Sequence, residues 1–203
     1  MKPQVIFVGG IHGAGKTTLC LGSSRFFECK CIRQIHLVAD LGKNGGFSWE
    51  QSIERHDELI ELAAGMVVSG MMRSHEELLI ADCHYAIRTS RALRVKNRPP
   101  ISDPYIPDLD KRFVSILSDY MVPRFILIDV KPEVAVARIE RRSIVIPSPE
   151  TTIEGLSELK PVEEEMFRDM LSVFECKDTD CLIIENNASL EDALSAIKNF
   201  IRN

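Results

Sequence analysis

Four short runs of aliphatic and aromatic residues recur along the chain with few polar interruptions. They cover residues 4–9, 77–82, 123–130 and 180–186, and a weaker fifth run covers 34–40. A strand that is buried on both faces has a nearly continuous apolar pattern, whereas a strand with one face in solvent alternates. The five runs therefore predict the strands of a parallel sheet.

Between these runs, apolar residues recur at steps of three and four, which is the period of an amphipathic helix. One such segment covers 48–72, where Ser48 and Gln51 form a predicted capping box, and another covers 189–202, where Ser189 caps the start. Buried strands that alternate with amphipathic helices predict an α/β fold with helices on both sides of the sheet.

Two proline-containing segments interrupt this alternation. Residues 97–108 contain four prolines, and residues 143–155 contain two. Proline lacks the backbone N–H that a helix interior needs, so neither segment is expected to be a regular helix. Loops that follow the strands of a parallel sheet carry functional groups, and we expect both segments to face a substrate.

The sequence GGIHGAGKTT at 9–18 directly follows the first predicted strand. Glycine at 10, 13 and 15 permits backbone conformations that turn successive N–H groups toward one point, and the start of a helix near Lys16 adds its positive dipole end. This spacing predicts a phosphate-binding loop. The predicted phosphate-binding residues are Gly10, Gly13, Ala14, Gly15, Lys16, Thr17 and Thr18.

The side chains of this loop predict a nucleotide triphosphate and its metal. Lys16 supplies a positive charge for the β and γ phosphates, and the hydroxyl group of Thr17 is a ligand for Mg²⁺. Asp82 ends the strand at 77–82, where a carboxylate can hold the same ion directly or through water. A neutral imidazole adds little to such a site, so we interpret His12 as an exposed residue without a catalytic role.

Three arginines follow the apolar run at 123–130 in the sequence RIERR. Arg138, Arg141 and Arg142 have the spacing i, i+3 and i+4, which places them on one side of a predicted helix. Like charges at this spacing repel each other by a few tenths of a kcal/mol (~0.2–0.5) per pair, and a bound polyphosphate would relieve that repulsion. The alternative is a solvated face paired to Glu133 and Glu140.

Composition and charge exclude several classes of protein. The formal net charge of −5 argues against broad attraction to nucleic acid, and no stretch approaches the roughly 20 apolar residues of a membrane span. With no cleavable signal pattern, a cytoplasmic or nuclear location is expected. The Asn-Lys-x-Asp signature of guanine recognition is absent. The six cysteines are expected to be reduced thiols. No apolar helix face is visibly in excess, so the sequence predicts no oligomeric state.

Three further stretches carry a resemblance to a known family: DCHYAIRT at 82–89, YIP at 105–107 and RIERR at 138–142. Together with the phosphate loop, they make the chain similar to the adenylate kinase family of nucleoside monophosphate kinases, most nearly to its archaeal-type and eukaryotic nuclear members. The stretch IERHDELIEL at 53–62 is similar to the monophosphate-side helix of those enzymes.

The resemblance implies the fold in more detail. It is that of P-loop NTPases, a three-layer α/β sandwich around a five-stranded parallel sheet in the order 2-3-1-4-5, with a short lid. A single domain would cover residues 1–203, with a monophosphate-side helical segment at about 41–75 and the lid at about 138–160. Closure of the lid is expected to exclude water, which would otherwise hydrolyse the nucleotide.

The resemblance also implies the donor side of a reaction. ATP would be the phosphoryl donor, Mg²⁺ the cofactor, and a nucleoside monophosphate similar to AMP the acceptor. Lys16 and Thr17 would hold ATP and its metal, and Asp82 would order the water shell of the metal.

On the acceptor side, the resemblance implies that Arg88 and Arg55 face the monophosphate and that His84 helps to orient it. Arg138 and Arg142 would reach the transferring phosphoryl group from the lid, and Arg138 would also contact ATP.

Two features leave other functions open. Arg88, Arg91, Arg94 and Arg98 form a basic series at helical spacing, and the predicted lid segment 142–160 has no arginine after its first residue. The chain could instead phosphorylate another small metabolite or the 5′ end of a nucleic acid, through the basic series. It could also be a regulatory or assembly factor that uses ATP to drive a conformational switch.

Overall fold

The structure of the protein is a computed structural model, and it describes residues 2–47, 51, 54–88, 105–107, 109–142, 151–187 and 189–203. The strands are β1 (Gln4–Gly9), β2 (Lys30–Ile32), β3 (Leu78–Asp82), β4 (Ala86–Arg88), β5 (Tyr105–Pro107), β6 (Val122–Asp129) and β7 (Cys181–Glu185). The helices are α1 (Lys16–Phe27), α2 (Gln34–Asn44), α3 (His56–Ser74), α4 (Lys111–Ser118), α5 (Pro132–Glu140), α6 (Ile153–Val173) and α7 (Leu190–Arg202).

Five strands form one parallel sheet in the order β2-β3-β1-β6-β7. Counted within this sheet alone, the order is 2-3-1-4-5, so the predicted α/β fold is confirmed. The short strands β4 and β5 pair antiparallel outside it, with Arg88 opposite Tyr105. The four continuous apolar runs coincide with β1, β3, β6 and β7.

The core has two layers because successive residues of each buried strand point to opposite faces of the sheet. On one face, Phe7 stacks on Phe125 at 5.4 Å between ring centroids, and α3, α4 and part of α6 cover this face. On the other face, Val8 and Ile126 pack under α1, α5 and α7. The sheet therefore lies between two helical layers.

The predicted strand at 34–40 is wrong. These residues lie in α2, and the second strand of the sheet is β2, which is only three residues long and occupies an edge. Leu37, Val38 and Leu41 follow helical spacing and pack against the core from one side. A short apolar run can be a strand or one face of a helix, and periodicity alone does not distinguish the two.

The predicted C-terminal helix is confirmed as α7. The hydroxyl group of Ser189 accepts hydrogen bonds from the backbone N–H groups of Glu191, at 3.1 Å, and Asp192, at 3.5 Å. The helix predicted at 48–72 corresponds to α3, which begins at His56. Its predicted capping residue, Ser48, lies outside the described residues.

Parts of both proline-containing segments also lie outside the described residues. They are 97–104 and 108 in the first segment and 143–150 in the second, at the centre of the predicted lid. The basic series beyond Arg88 lies outside them as well. In the described ranges, no helix is long and apolar enough to span a bilayer.

Candidate active site

The loop between β1 and α1 has the geometry that its glycines predict. Gly13 and Gly15 have φ angles of +80° and +94°, which side-chain-bearing residues rarely adopt. A Cβ atom at Gly13 would lie 2.6 Å from the backbone oxygen of Ala135 in α5, so the loop also packs too closely for a side chain. Gly15 caps α1 without a side chain, and the first N–H groups of this helix face the loop as a site for an anion.

Lys16 is the first residue of α1 and is buried. Its ammonium group donates hydrogen bonds to the backbone oxygens of Gly10, at 2.6 Å, and Ile11, at 3.0 Å. Burial lowers the pKa of Lys16, and the negative charges of Glu163 and Asp82 oppose this effect. The ammonium group of Lys16 thus binds carbonyl groups of its own loop, and a rotation of the side chain would bring it to phosphate oxygens bound there.

Thr17 and Asp82 meet as predicted. The ends of β1 and β3 lie side by side, with Val8 opposite Asp82, and the Thr17 hydroxyl group donates a hydrogen bond to Asp82 Oδ2 at 2.7 Å. Asp82 is buried at the tip of β3. A carboxylate and a hydroxyl group are hard oxygen ligands of the type that Mg²⁺ prefers, so this pair fits the predicted metal.

Arg33 joins this pair, and sequence reasoning missed it. Its Nε donates to Asp82 Oδ2 at 2.9 Å, and its Nη2 donates to the Thr17 hydroxyl oxygen at 2.6 Å. Arg33 follows β2 directly, so it lies at the carboxyl end of the parallel strands, where Asp82 also lies. If residues 34–40 were a strand, as predicted, Arg33 would precede that strand and would lie at the amino end of the sheet, away from Asp82.

Glu163 was also missed. It lies in α6, is 1% exposed, and accepts hydrogen bonds from the backbone N–H groups of Gly10 (2.8 Å), Tyr85 (2.9 Å) and Ala86 (2.7 Å). Burial raises the pKa of Glu163, and the charge of Lys16 and the three hydrogen bonds oppose this rise. One carboxylate thus connects the start of the phosphate loop to the chain that follows Asp82.

A signal for Glu163 does exist in the sequence. It takes a core position on an otherwise apolar stripe of α6, formed by Leu156, Leu159, Phe167 and Met170, all of which are buried. A charged residue on such a stripe needs buried partners.

The other side of the loop is held by Asn186, which follows β7 and which sequence reasoning missed. Its buried amide donates to the backbone oxygen of Ala14 at 2.8 Å. Arg138 lies beside them, 3.5 Å from the Ala14 oxygen and 3.4 Å from Asn186 Oδ1. Burial and the nearby charge of Arg141 lower the pKa of Arg138. Arg138 thus lies beside the phosphate loop, and its roles toward ATP and the transferred phosphoryl group stay predictions.

The placement of all three arginines on one helix is wrong. Helix α5 ends at Glu140, so Arg141 and Arg142 belong to the turn that follows. The buried stripe of α5 ends at Ile139, and the three charged residues after it have no further apolar face to bury. Arg142 still reaches the phosphate loop, where its Nη1 lies 3.4 Å from His12 Nε2.

A cleft of about 270 Å³ opens between the phosphate loop, the start of α2 and the chain after β3. Described residues that line it are His12, Gly13, Gly15, Lys16, Thr17, Thr18, Arg33, Gln34, His36, Asp82, Cys83, His84 and Arg142. The rings of His12 and His84 lie nearly parallel at 6.3 Å between centroids. His12 is half-buried in the cleft, so its interpretation as an exposed residue is wrong.

The structure brings the predicted donor-side residues together but not all acceptor-side residues. His84 lines the cleft, whereas Arg55 is not among the described residues that line it. Arg55 instead pairs with Glu58 at 2.5 Å and lies over the ring of Phe47. The backbone of Arg88 lies in β4, and its side chain is outside the described part of the structure. The acceptor roles of Arg55 and Arg88 stay predictions.

Comparison with known proteins finds similar structures only. No protein-family model and no curated protein matches the chain. A shikimate kinase from Acinetobacter baumannii, solved in complex with shikimate, matches with a TM-score of 0.52 and 14% identity, over 98% of this chain and 93% of its own.

Two further structures match over similar lengths. An assumed kinase from Chloroflexus aurantiacus J-10-fl has a TM-score of 0.51 and 14% identity, covering 100% of this chain and 98% of its own. An uncharacterized protein from Eubacterium ventriosum has a TM-score of 0.53 and 11% identity, covering 98% and 99%. At such identities the likeness concerns the fold alone, and the chain therefore shares the α/β fold of these structures, with a five-stranded parallel sheet in the order 2-3-1-4-5.

Proposed function

We propose that this protein transfers the γ-phosphoryl group of ATP to a small acceptor that already carries a phosphate, a nucleoside monophosphate such as AMP. The observation that carries the proposal is the charge of the cleft. Lys16, Arg33 and Arg142 line it, and Asp82 is the one carboxylate among the described lining residues. Although the whole chain has a net charge of −5, the described residues that line the cleft include these three cations and a single carboxylate. This local excess of positive charge suits the binding of two anions.

The donor nucleotide would bind through the loop. Backbone N–H groups from Gly13 to the start of α1 surround the phosphates, and Lys16 exchanges its bonds to the loop carbonyls for phosphate oxygens. Thr17 and Asp82 would hold Mg²⁺, which supplies neutralisation of phosphate charge when it is bound. Glu163 and Asn186 hold the loop from two sides, so the N–H groups need little rearrangement.

The chemistry of transfer favours an ionised acceptor. One P–O bond forms to an acceptor oxygen, and the bond to the leaving ADP oxygen breaks. A monophosphate has a second pKa near 6 and is largely a dianion at neutral pH, so no base has to remove a proton. Transfer to a hydroxyl group uses an aspartate base in protein kinases, but Asp82 is already bonded to Thr17 and Arg33.

The proposal can be tested by measuring ADP release in a coupled assay with Mg²⁺, ATP and each of AMP, dAMP, CMP, UMP, GMP and dTMP. We expect at least one monophosphate to stimulate turnover. Lys16→Ala should abolish it, whereas Lys43→Ala, at an exposed position near the end of α2, should not change it.

Other outcomes would contradict the proposal in distinct ways. Turnover with hydroxyl-bearing metabolites or nucleic acid 5′ ends, but with no monophosphate, would show that the proposed class of acceptor is wrong. ATP consumption that responds only to a protein or RNA partner would favour the regulatory or assembly function.

A further inference from the structure

Arg33 binds the same two groups that are expected to bind the metal ion. Its guanidinium group contacts Thr17 Oγ1 at 2.6 Å and Asp82 Oδ2 at 2.9 Å, and these two oxygens are themselves 2.7 Å apart. The result is a closed triangle of one cation, one hydroxyl group and one carboxylate in the lining of the cleft.

The fold holds Arg33 at this position. Strands β2 and β3 are parallel and in register, with Ile32 opposite Ala81, so the next residues along the chain, Arg33 and Asp82, lie side by side. Arg33 is extended and immediately precedes α2, which fixes its backbone. Its side chain is 37% exposed and that of Asp82 is 7% exposed, so the guanidinium group lies on the cleft side of the buried carboxylate.

The guanidinium group and a metal ion compete for the same atoms. The proton of the Thr17 hydroxyl group is donated to Asp82, so the hydroxyl oxygen has only lone pairs to offer, and Arg33 already donates to it. The same arginine also uses Asp82 Oδ2. A divalent cation on these oxygens would bind atoms that already contact the guanidinium group, and the repulsion between two cations that share the same ligands is strongly unfavourable in a partly buried site.

We propose that Arg33 is a positioning residue that acts as an internal cation of the metal site. It holds Thr17 and Asp82 in place when no metal is bound, it can serve as counter-ion to metal-free ATP, and Mg²⁺ displaces it. This inference rests on the proposed function, since it assigns a role to Arg33 at the same nucleotide site.

The inference predicts effects of opposite sign on two forms of the nucleotide. Arg33→Gln removes the charge and keeps a polar side chain. We expect it to weaken binding of ATP in EDTA by about tenfold, which is the usual scale for losing one charge-assisted contact. Binding of Mg·ATP should be unchanged or tighter, because the metal no longer has to displace a cation.

Isothermal titration calorimetry with ATP in EDTA and with ATP in excess Mg²⁺ measures both affinities. Arg142→Gln is the matched control, because Arg142 lines the same cleft but contacts His12 instead of the metal ligands. It should weaken both forms of ATP by a similar factor. Arg33→Lys keeps the charge without the two-pronged geometry and should fall between the wild type and Arg33→Gln.

A second measurement needs no nucleotide. Electron paramagnetic resonance of Mn²⁺ reports free metal ion, and Arg33→Gln should bind Mn²⁺ several-fold more tightly than the wild type does. Asp82→Asn should lose Mn²⁺ binding whether or not Arg33 is present. Thermal unfolding of each variant shows that it is folded before its affinities are compared.

The outcomes separate the two proposals. If the wild type binds neither form of ATP, the proposed function is wrong, and the Mn²⁺ titration still tests Arg33. If Arg33→Gln weakens both forms of ATP equally, Arg33 is a phosphate contact; if it changes neither ATP form nor Mn²⁺ binding, the triangle is a structural ion pair. Either result overturns the inference.

Discussion

Replacement of Glu163 tests whether one buried carboxylate holds the phosphate loop to the chain after β3. In Glu163→Gln the side chain keeps its shape and one acceptor oxygen, which can still accept from two of the three N–H groups. The amide NH₂ then faces a third N–H, so one buried donor loses its partner. In the wild-type protein, Glu163 accepts hydrogen bonds from the backbone N–H groups of Gly10, Tyr85 and Ala86 at distances of up to 2.9 Å.

The size of the effect follows from those contacts. One buried donor without a partner costs about 1–3 kcal/mol, and the remaining two bonds become weaker when the acceptor loses its charge. Relief of the buried charge, whose burial raises the pKa of Glu163, offsets part of this loss. We therefore expect Glu163→Gln to lower the free energy of unfolding by about 1–3 kcal/mol, or the Tm by about 2–12 °C.

Glu163→Ala should be far more damaging. It leaves all three N–H groups without their acceptor, at about 3–9 kcal/mol in total, which approaches the whole stability of a typical domain. The glutamine variant is therefore the informative one, and the alanine variant is expected to be at the margin of folding.

Urea unfolding followed by far-ultraviolet circular dichroism measures the difference, with Glu164→Gln as the matched control. Glu164 is the next residue of α6 and makes half-exposed ion pairs with Lys160 and Arg168, so its replacement should cost no more than about 1 kcal/mol. Amide hydrogen exchange should also accelerate selectively at Gly10, Tyr85 and Ala86. Equal stability of the two variants, with no change in exchange, would refute the proposed linkage.

Two further predictions concern the acceptor side and pH. Arg88→Ala should raise the KM of the monophosphate much more than that of ATP in steady-state assays; equal shifts would place Arg88 elsewhere than at the acceptor. His56 lies 3.3 Å from Asp110, and this contact raises the pKa of His56 above 6.5 and lowers that of Asp110 below 3.8. The pair therefore stabilises the fold between about pH 4 and 6.5, and the contribution disappears as His56 loses its proton at higher pH or Asp110 gains one at lower pH. Urea unfolding should show His56→Gln to be less stable than the wild type at pH 5.5, by under about 1 kcal/mol, and equal to it at pH 9.

The sequence by itself determined the features that depend on neighbouring residues. The continuous apolar runs predicted four of the five strands, and Ser189 predicted the start of α7. The glycine spacing predicted the phosphate loop, because a loop of that shape needs positive φ angles at Gly13 and Gly15. The Thr17–Asp82 contact was also predictable, since the carboxyl ends of parallel strands meet at one edge of the sheet.

The tertiary structure alone decided which other side chains complete the site. The sequence did not predict the position of Arg33, because this residue follows β2, an edge strand of only three residues whose hydrophobic pattern is too short to be recognised. Glu163 and Asn186 reach the loop from 153 and 172 residues away along the chain. A buried carboxylate or amide is stable only where the fold brings polar partners to it, and no local spacing specifies partners that far apart.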